Sequence, residues 1–389
     1  MPGAMSIIQN LATAPHNAAT APTYVRVLLL APYGAAGGGM GRMMDYLAEC
    51  QTDGMRLVRV ETRGAGSAAD SIWYTLYAGM RIAGAAAGAV PTIVHINMAE
   101  RGSIFRKSLL LLLARALGLP AVLHLHAAEL IDSTERLPRV LQRLTAVPFR
   151  AATVCIVLGT LWRDYLRDEL GVPENRIEIL HNGVPRPVLR RFPAPSGTFN
   201  FVFLGNLQKR KGLTDLLHAL SDPALLGFDW CLTIAGSGDT TRLRELATIL
   251  GIGARISFTG WLDRDGTTSV LARANALVLP SYAEGLPLAL LEAASLGVPI
   301  VATPVGAIGE VFTDCETALL VPPGNRHALT AALHLLLAEP HCAPRLGRLG
   351  RELYARELTL AGFVLGLRSI YRRHCQHAAA AWQDSATVT

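Results

Sequence analysis

Cysteine is scarce and scattered: Cys50, Cys155, Cys231, Cys315, Cys342 and Cys375 are spread over 389 residues without a CxxC pair. That spacing argues against a zinc framework and a disulfide scaffold, and isolated thiols in a chain this long indicate a reducing compartment. Charge is sparse too, at 17% against 51% hydrophobic residues, which is too apolar for a disordered chain. No apolar run reaches the roughly 20 residues that span a bilayer; the longest starts at Leu109 and is cut by Arg115. Residues 1–23 lack a charged start followed by an apolar stretch, so they read as a disordered leader and not as a secretory signal. No Asp-rich site for a divalent metal is evident, so neither metal nor cofactor is expected. Aromatics amount to 6% and do not interleave with a dense Lys/Arg run, which argues against nucleic acid as a partner. The net charge of +6 instead suits an anionic small molecule or an anionic membrane surface.

The chain is rich in alternation. Apolar runs at 24–30, 57–60, 92–96, 121–125 and 154–158 are separated by helical patterns at 40–49, 71–88, 104–117 and 139–149. A second series of runs follows at 199–204, 230–235, 255–259, 276–280, 299–302 and 318–321, and the chain ends in helical segments from 327 to 377. Strands alternating with helices imply βαβ units and parallel sheets. Between the two series lie Asn182-Gly183-Val184-Pro185-Arg186-Pro187, the basic pair Arg190-Arg191 and Pro193-Ala194-Pro195-Ser196-Gly197, a linker composition. The expected architecture is α/β, with two Rossmann-like, doubly wound parallel-sheet domains facing across a cleft. Residues 24–187 would form the first domain, 188–198 the linker and 199–360 the second domain. Residues 361–389 would hold a helix packing back on the first domain, then a disordered tail.

Ligands of such sheets bind beyond the carboxyl ends of the strands, so the loops there carry the candidates. Gly34, Gly37, Gly38, Gly39 and Gly41 follow the first strand, where glycine lets the backbone approach a ligand and a helix start favours anions. A phosphate neighbour, a plain tight turn and a nicotinamide or flavin site are all open readings. The dinucleotide fingerprint fails because Arg42 or Met44 stands at its third glycine, but Glu61 sits where such folds hold a ribose. His124 and His126 end the 121–125 run on one face of the sheet, beside Glu129, and either a reacting or a core role fits them. His95 reads as structural. Lys209, Arg210 and Lys211 follow Gly205 and Asn206, so the strand 199–204 delivers cations suited to a diphosphate or to plain solvation.

The strongest signal runs from Ser281 to Glu292. Pro287 suits a first helical turn, the helix should cover 288–296, and Gly297 stops it. The amides around Gly285, Leu286 and Leu288 would face an anion. Glu292 lies roughly 7–8 Å further along the axis at about 1.5 Å per residue. A carboxylate among Leu290, Leu291, Ala293 and Ala294 needs a partner, and ligand hydroxyls would supply one.

Glu284 and Glu292, with seven residues between them, resemble the E-x7-E motif of the retaining family-4 glycosyltransferases of GT-B architecture. The resemblance extends from Val25 to about Tyr371 through the glycine loop, His126, Ile179 to Val184, Gly205 with Lys211-Gly212, Ala235 to Gly238, and Val305 to Glu310. It implies a hexosyltransferase that uses a nucleoside diphosphate sugar and retains configuration. His126 and Glu284 would lie at the transferred sugar and Glu292 at the ribose. Lys211 and Arg210 would grip the diphosphate, with the backbone of Gly285, Leu286, Pro287 and Leu288 and the loops at Gly38, Gly39 and Gly205. His124, Asn182, Asn206 and Glu310 are secondary candidates. Asn206 stands where the family usually has Arg, and Glu129 where Asp is common. Arg101, Arg106 and Lys107 flank the apolar helix 108–117, and Arg136, Arg139, Arg143 and Arg150 follow. They fit a half-buried helix with solvated arginines or an anionic membrane surface. On the membrane reading the protein is cytoplasmic and peripheral on the inner membrane face. Its acceptor would then be a polyprenyl-diphosphate-linked saccharide in bacterial surface polysaccharide assembly. A sugar-nucleotide 2-epimerase, a nicotinamide oxidoreductase and a non-catalytic nucleotide-sugar-binding module are the rival functions.

Overall fold

The structure is a computed structural model that describes residues 24–50, 52, 54–64, 70–99, 102–126, 128–189 and 197–379. The expected leader (1–23), Arg101, the linker residues 190–196 and the last ten residues lie outside the described residues.

The first half alternates β1 (Val25–Ala31), α1 (Gly38–Glu49), β2 (Met55–Glu61), α2 (Asp70–Ala86), β3 (Thr92–Met98), α3 (Gly102–Ala116) and β4 (Ala121–Leu125). It continues with α4 (Leu130–Glu135), α5 (Arg139–Ala151), β5 (Val154–Val157), α6 (Thr160–Asp168) and β6 (Ile177–Ile179). All pairings are parallel, in the order β2-β1-β3-β4-β5-β6. Strands β3, β4 and β5 are buried along their whole length, which explains why they read as unbroken apolar runs and not as alternating ones.

The second half holds β7 (Phe199–Leu204), α7 (Leu213–Leu220), α8 (Pro223–Leu226), β8 (Trp230–Ala235), α9 (Thr241–Ile249), β9 (Ile256–Gly260), α10 (Arg264–Ala272) and β10 (Ala276–Leu279). Then come α11 (Leu288–Leu296), β11 (Ile300–Ala302), α12 (Ile308–Val311), β12 (Leu319–Leu320), α13 (Arg326–Ala338), α14 (Cys342–Glu357), α15 (Leu360–His374) and α16 (Gln376–Ala379). Its sheet is parallel, in the order β12-β11-β10-β7-β8-β9. The order reverses between β7 and β10, so the loops after these two strands flank the crevice where such sheets take ligands.

After α14 the chain returns to the first half. Val184 donates its amide to Leu358 O (3.0 Å) and accepts from the amide of Leu360 (2.9 Å). Helix α15 then packs against α1, and its Tyr371 hydroxyl reaches His95 Nδ1 at 2.6 Å. The crossing is tight: a Cβ on Gly183 would lie 2.4 Å from Thr359 O, where backbone cannot yield cheaply. Gly183→Ala is therefore expected to cost about 1–3 kcal/mol, read as a fall in calorimetric Tm. Gly84→Ala, inside α2 with open space around it, should leave Tm unchanged or raise it. Equal Tm values for both variants would contradict the packing described.

Candidate functional site

The strand ends of both sheets face a cleft with a cavity of ≈ 630 Å³. His126, Gly38, Gly39, Asn182, Gly205, Asn206, Arg210, Lys211, Glu284, Gly285, Leu286, Pro287, Leu288 and Glu292 all line it. Two secondary candidates, His124 and Glu310, do not.

On the wall built by the second half, Gly205 follows the end of β7, and a short 3-10 turn, Lys209–Lys211, precedes α7. Gly212 closes that turn at φ +70°, and a Cβ there would sit 1.9 Å from Pro280 O. The turn is thereby pressed against the loop after β10. Lys211 Nζ donates to Glu284 Oε1 at 2.5 Å, and Ser281 Oγ donates to the same oxygen at 2.7 Å. Arg210 Nη1 lies 3.5 Å from Glu284 Oε2 and donates to Ala283 O at 2.6 Å. Lys211 and Glu284 are both buried, so loss of either would leave a buried group without its nearest partner. Arg210 also reaches across the cleft towards Glu129, at 3.9 Å. Asn206 accepts from Ser237 Oγ at 2.8 Å, while Lys209 does not line the cleft.

Helix α11 covers the expected residues and ends at Gly297 with φ +69°. Pro287 is its N-cap (φ −66°, ψ 129°) and not a residue of the first turn, and the helix begins at Leu288 as expected. Among the described residues the amides of Gly285, Leu286, Leu288 and Ala289 donate to no protein acceptor. Four unpaired N–H groups at a helix start form a ready anion seat.

Glu292 has a protein partner where a ligand hydroxyl was expected. Tyr46 donates its hydroxyl to Glu292 Oε1 at 2.8 Å, and Arg42 Nη1 stands 3.4 Å from the same oxygen. Arg42 also donates to Leu262 O (3.0 Å) and Thr267 Oγ1 (3.2 Å), so α1 of the first half is tied to α10 and α11 of the second. Burial pushes the Glu292 carboxyl up from its ordinary pKa, and Arg42 and Tyr46 oppose that rise. Sequence reasoning missed both side chains. Arg42 drew notice only as the residue that breaks a glycine fingerprint; its i+4 spacing to Tyr46 was the signal that could have found them.

On the opposite wall, His126 Nε2 lies 3.0 Å from Asn97 Oδ1, which can only accept, so Nε2 carries the proton. Burial pushes the His126 pKa down to about 3 and that of His95 to about 4; both rings are neutral at physiological pH. The His124 ring lies 4.1 Å from that of His126, tilted by 36°, and stacks towards Phe363 of α15, but it is fully buried, and neither ring nitrogen has a partner among the described residues. It belongs to the core and not to the cleft. Glu310 also departs from expectation. Its carboxylate accepts from the Thr160 amide (2.9 Å) and Thr160 Oγ1 (2.7 Å), capping α6 across the two halves. Glu61 is spent on backbone as well, accepting from the amides of Tyr33, Thr62 and Arg63, which leaves the nicotinamide reading without its ribose carboxylate. Among the described residues no group of three or more His, Cys, Asp or Glu side chains could hold a metal ion.

A family profile described as Glycosyl transferase 4-like domain matches residues 18–183, and one described as Glycosyl transferases group 1 matches residues 198–339. The chain belongs to the GT-B glycosyltransferases of the family-4 type. Glycogen synthase of Mycobacterium tuberculosis is 28% identical over 248 residues, 62% of this chain and 60% of that protein's length. Alpha-D-kanosaminyltransferase of Streptomyces kanamyceticus is 24% identical over 67% of this chain and 72% of its own. The fold is shared with sucrose-phosphate synthase from Thermosynechococcus elongatus (TM-score 0.74, 19% identity, covering 90% of this chain and 99% of that one). It is shared too with Anabaena HepE in complex with UDP-glucose (TM-score 0.69, 15% identity, covering 90% and 99%).

The buried histidines set a pH dependence. Each is neutral when folded and protonates near 6.5 when unfolded, so its stabilising contribution is lost as pH falls below about 6.5 towards the folded pKa. Each such histidine steepens the loss by about 1.4 kcal/mol per pH unit while only the unfolded chain is protonated. His124 is held well below its ordinary pKa by burial. His124→Leu should keep Tm at pH 7.5 and show a shallower fall between pH 6.5 and 4.5 in thermal unfolding; an unaltered slope would contradict this account.

Proposed function

We propose that this protein is a retaining glycosyltransferase that moves a hexose from a nucleoside diphosphate sugar to a glycan or lipid-linked saccharide. The supporting observation is the convergence of Lys211, Arg210 and the open amides of the α11 start on one end of the cleft, with Glu292 one and a half turns further and His126 opposite. Residues 199–360 form the donor domain in this reading, residues 24–187 the acceptor domain. Lys211, Arg210 and the backbone from Gly285 to Leu288 hold the diphosphate, and Gly38, Gly39 and Gly205 leave room for it. Glu292 takes the ribose diol in exchange for the Tyr46 hydroxyl. His126 and Glu284 flank the sugar, while Asn182 and Asn206 complete the walls.

Negative charge develops on the leaving diphosphate, so fixed cations and a helix start stabilise the transition state without reorganising. The neutral His126, its Nε2 proton committed to Asn97, orients the sugar. The leaving phosphate itself takes the acceptor's proton. The acceptor we favour is a saccharide carried on a polyprenyl diphosphate, met at the inner face of the cytoplasmic membrane during bacterial surface polysaccharide assembly.

The test is titration of a panel of nucleoside diphosphates and their sugars, followed by product analysis with soluble and lipid-linked acceptors. Lys211→Ala and Glu292→Ala should each weaken donor binding at least about tenfold, which is about 1.4 kcal/mol. Unchanged affinity in both variants would refute the site. Donor consumption without acceptor would favour an epimerase, and binding without turnover a binding module.

A further inference from the structure

Helix α2 is inside out. It buries Ser71, Ala78, Ile82 and Ala85, mostly small residues, and turns Trp73, Leu76 and Met80 to solvent at 73%, 53% and 66% exposure. Helix α5 buries Thr145, Ala146, Pro148 and Phe149 but still leaves Val140 and Leu144 68% and 59% exposed. Between them α3, which packs against both, exposes Phe105 and Leu109 at 65% and 64%. More than half of the exposed large apolar side chains among the described residues lie on these three helices. Folding alone favours the opposite arrangement, with large side chains inward, and a contiguous exposed apolar layer of this extent marks an interaction surface.

The charge of the layer selects its partner. Helices α2, α3 and α5 carry Arg81, Arg106, Arg115, Arg139, Arg143 and Arg150 against a single acid, Asp70. A second copy of the chain, docked face to face on this layer, would set arginines against arginines. An anionic surface with an apolar interior satisfies both the arginines and the aromatics, since Trp and Tyr favour the headgroup boundary. No helix among the described residues is long and apolar enough to cross a membrane, so contact would be by docking and not by insertion of a span.

We propose that the face built by α2, α3 and α5 docks on an anionic lipid bilayer, α2 and the first turn of α3 supplying the aromatic contacts and α5 the cationic ones. This rests on the reading of the acceptor as lipid-linked, and it names the surface that brings the cleft to that acceptor.

The experiment is co-sedimentation of the full chain with phosphatidylcholine vesicles, with and without phosphatidylglycerol. It compares the wild type, the triple variant Trp73→Ser/Phe105→Ser/Leu144→Ser and the double variant Arg139→Glu/Arg143→Glu. Nucleoside diphosphate binding is measured in parallel and should be unchanged in both variants, which shows that they are folded. The wild type should partition onto phosphatidylglycerol vesicles, and each variant should lower its partition coefficient at least tenfold. Absence of wild-type sedimentation with anionic vesicles would overturn the proposal, as would equal partitioning of wild type and both variants. A wild-type dimer that the triple variant breaks, without vesicle binding, would overturn it in favour of self-association. Each of these failures leaves nucleoside diphosphate binding and sugar transfer to a soluble acceptor intact if the proposed function holds, so the two readings fail separately.

Discussion

A carboxylate taken out of water must be met by a cation, and the cleft wall built by the second half is organised around one such meeting. Lys211 and Glu284 are buried together and paired at 2.5 Å, so removing either partner would leave the other buried without its closest opposite charge. The pairing requires the turn after β7 to lie against the loop after β10. Gly212 permits that approach because it carries no Cβ towards Pro280. Ser281 adds a second hydrogen bond to Glu284, and Thr303 holds the carbonyl of Ser281 in turn. The Lys211 ammonium is thereby held in one place beside the loop that leads into α11, as the electrostatic preorganisation of the proposed function requires.

The two halves are stitched through polar contacts that would each be lost if the cleft opened. Arg42 and Tyr46 satisfy Glu292 from α1, Asn182 donates to Leu286 O, and Glu310 caps α6. At the back, α15 leaves the second half to set Tyr371 against His95 and Phe363 against His124. His95, His124 and His126 form one row of rings from the core to the cleft, so the wall that carries His126 is braced by the last long helix of the chain. Below this row the Lys107 ammonium donates to the Asn97 carbonyl, and burial pushes its pKa down to about 7. Asn97 therefore meets a cation through its backbone and His126 through its side chain.

Much of this was legible in the chain itself. The apolar runs mark the central strands to within a residue or two because burial on both faces leaves a local, unbroken signature. Helix α11 was readable from end to end, since Pro287 and Gly297 act through their own backbone preferences. Strand β6, three half-exposed residues, escaped notice because its apolar signal is too short to stand out. Lys211, Glu284 and His126 could be singled out because each follows a strand's carboxyl end, and all three line the cleft.

What the sequence determined by itself was the alternation of strands and helices and the loops that come to line the cleft, because periodicity, proline and glycine act over a few neighbouring residues. Only the tertiary structure decided that Glu292 meets Arg42 and Tyr46, that Glu310 faces Thr160, that His124 is buried, and that α2 turns Trp73 outward. Those outcomes depend on residues far apart in the chain, in one case 250 positions, and on which helix face the sheet leaves free. Sheet order and packing fix such distances, and no local pattern records them.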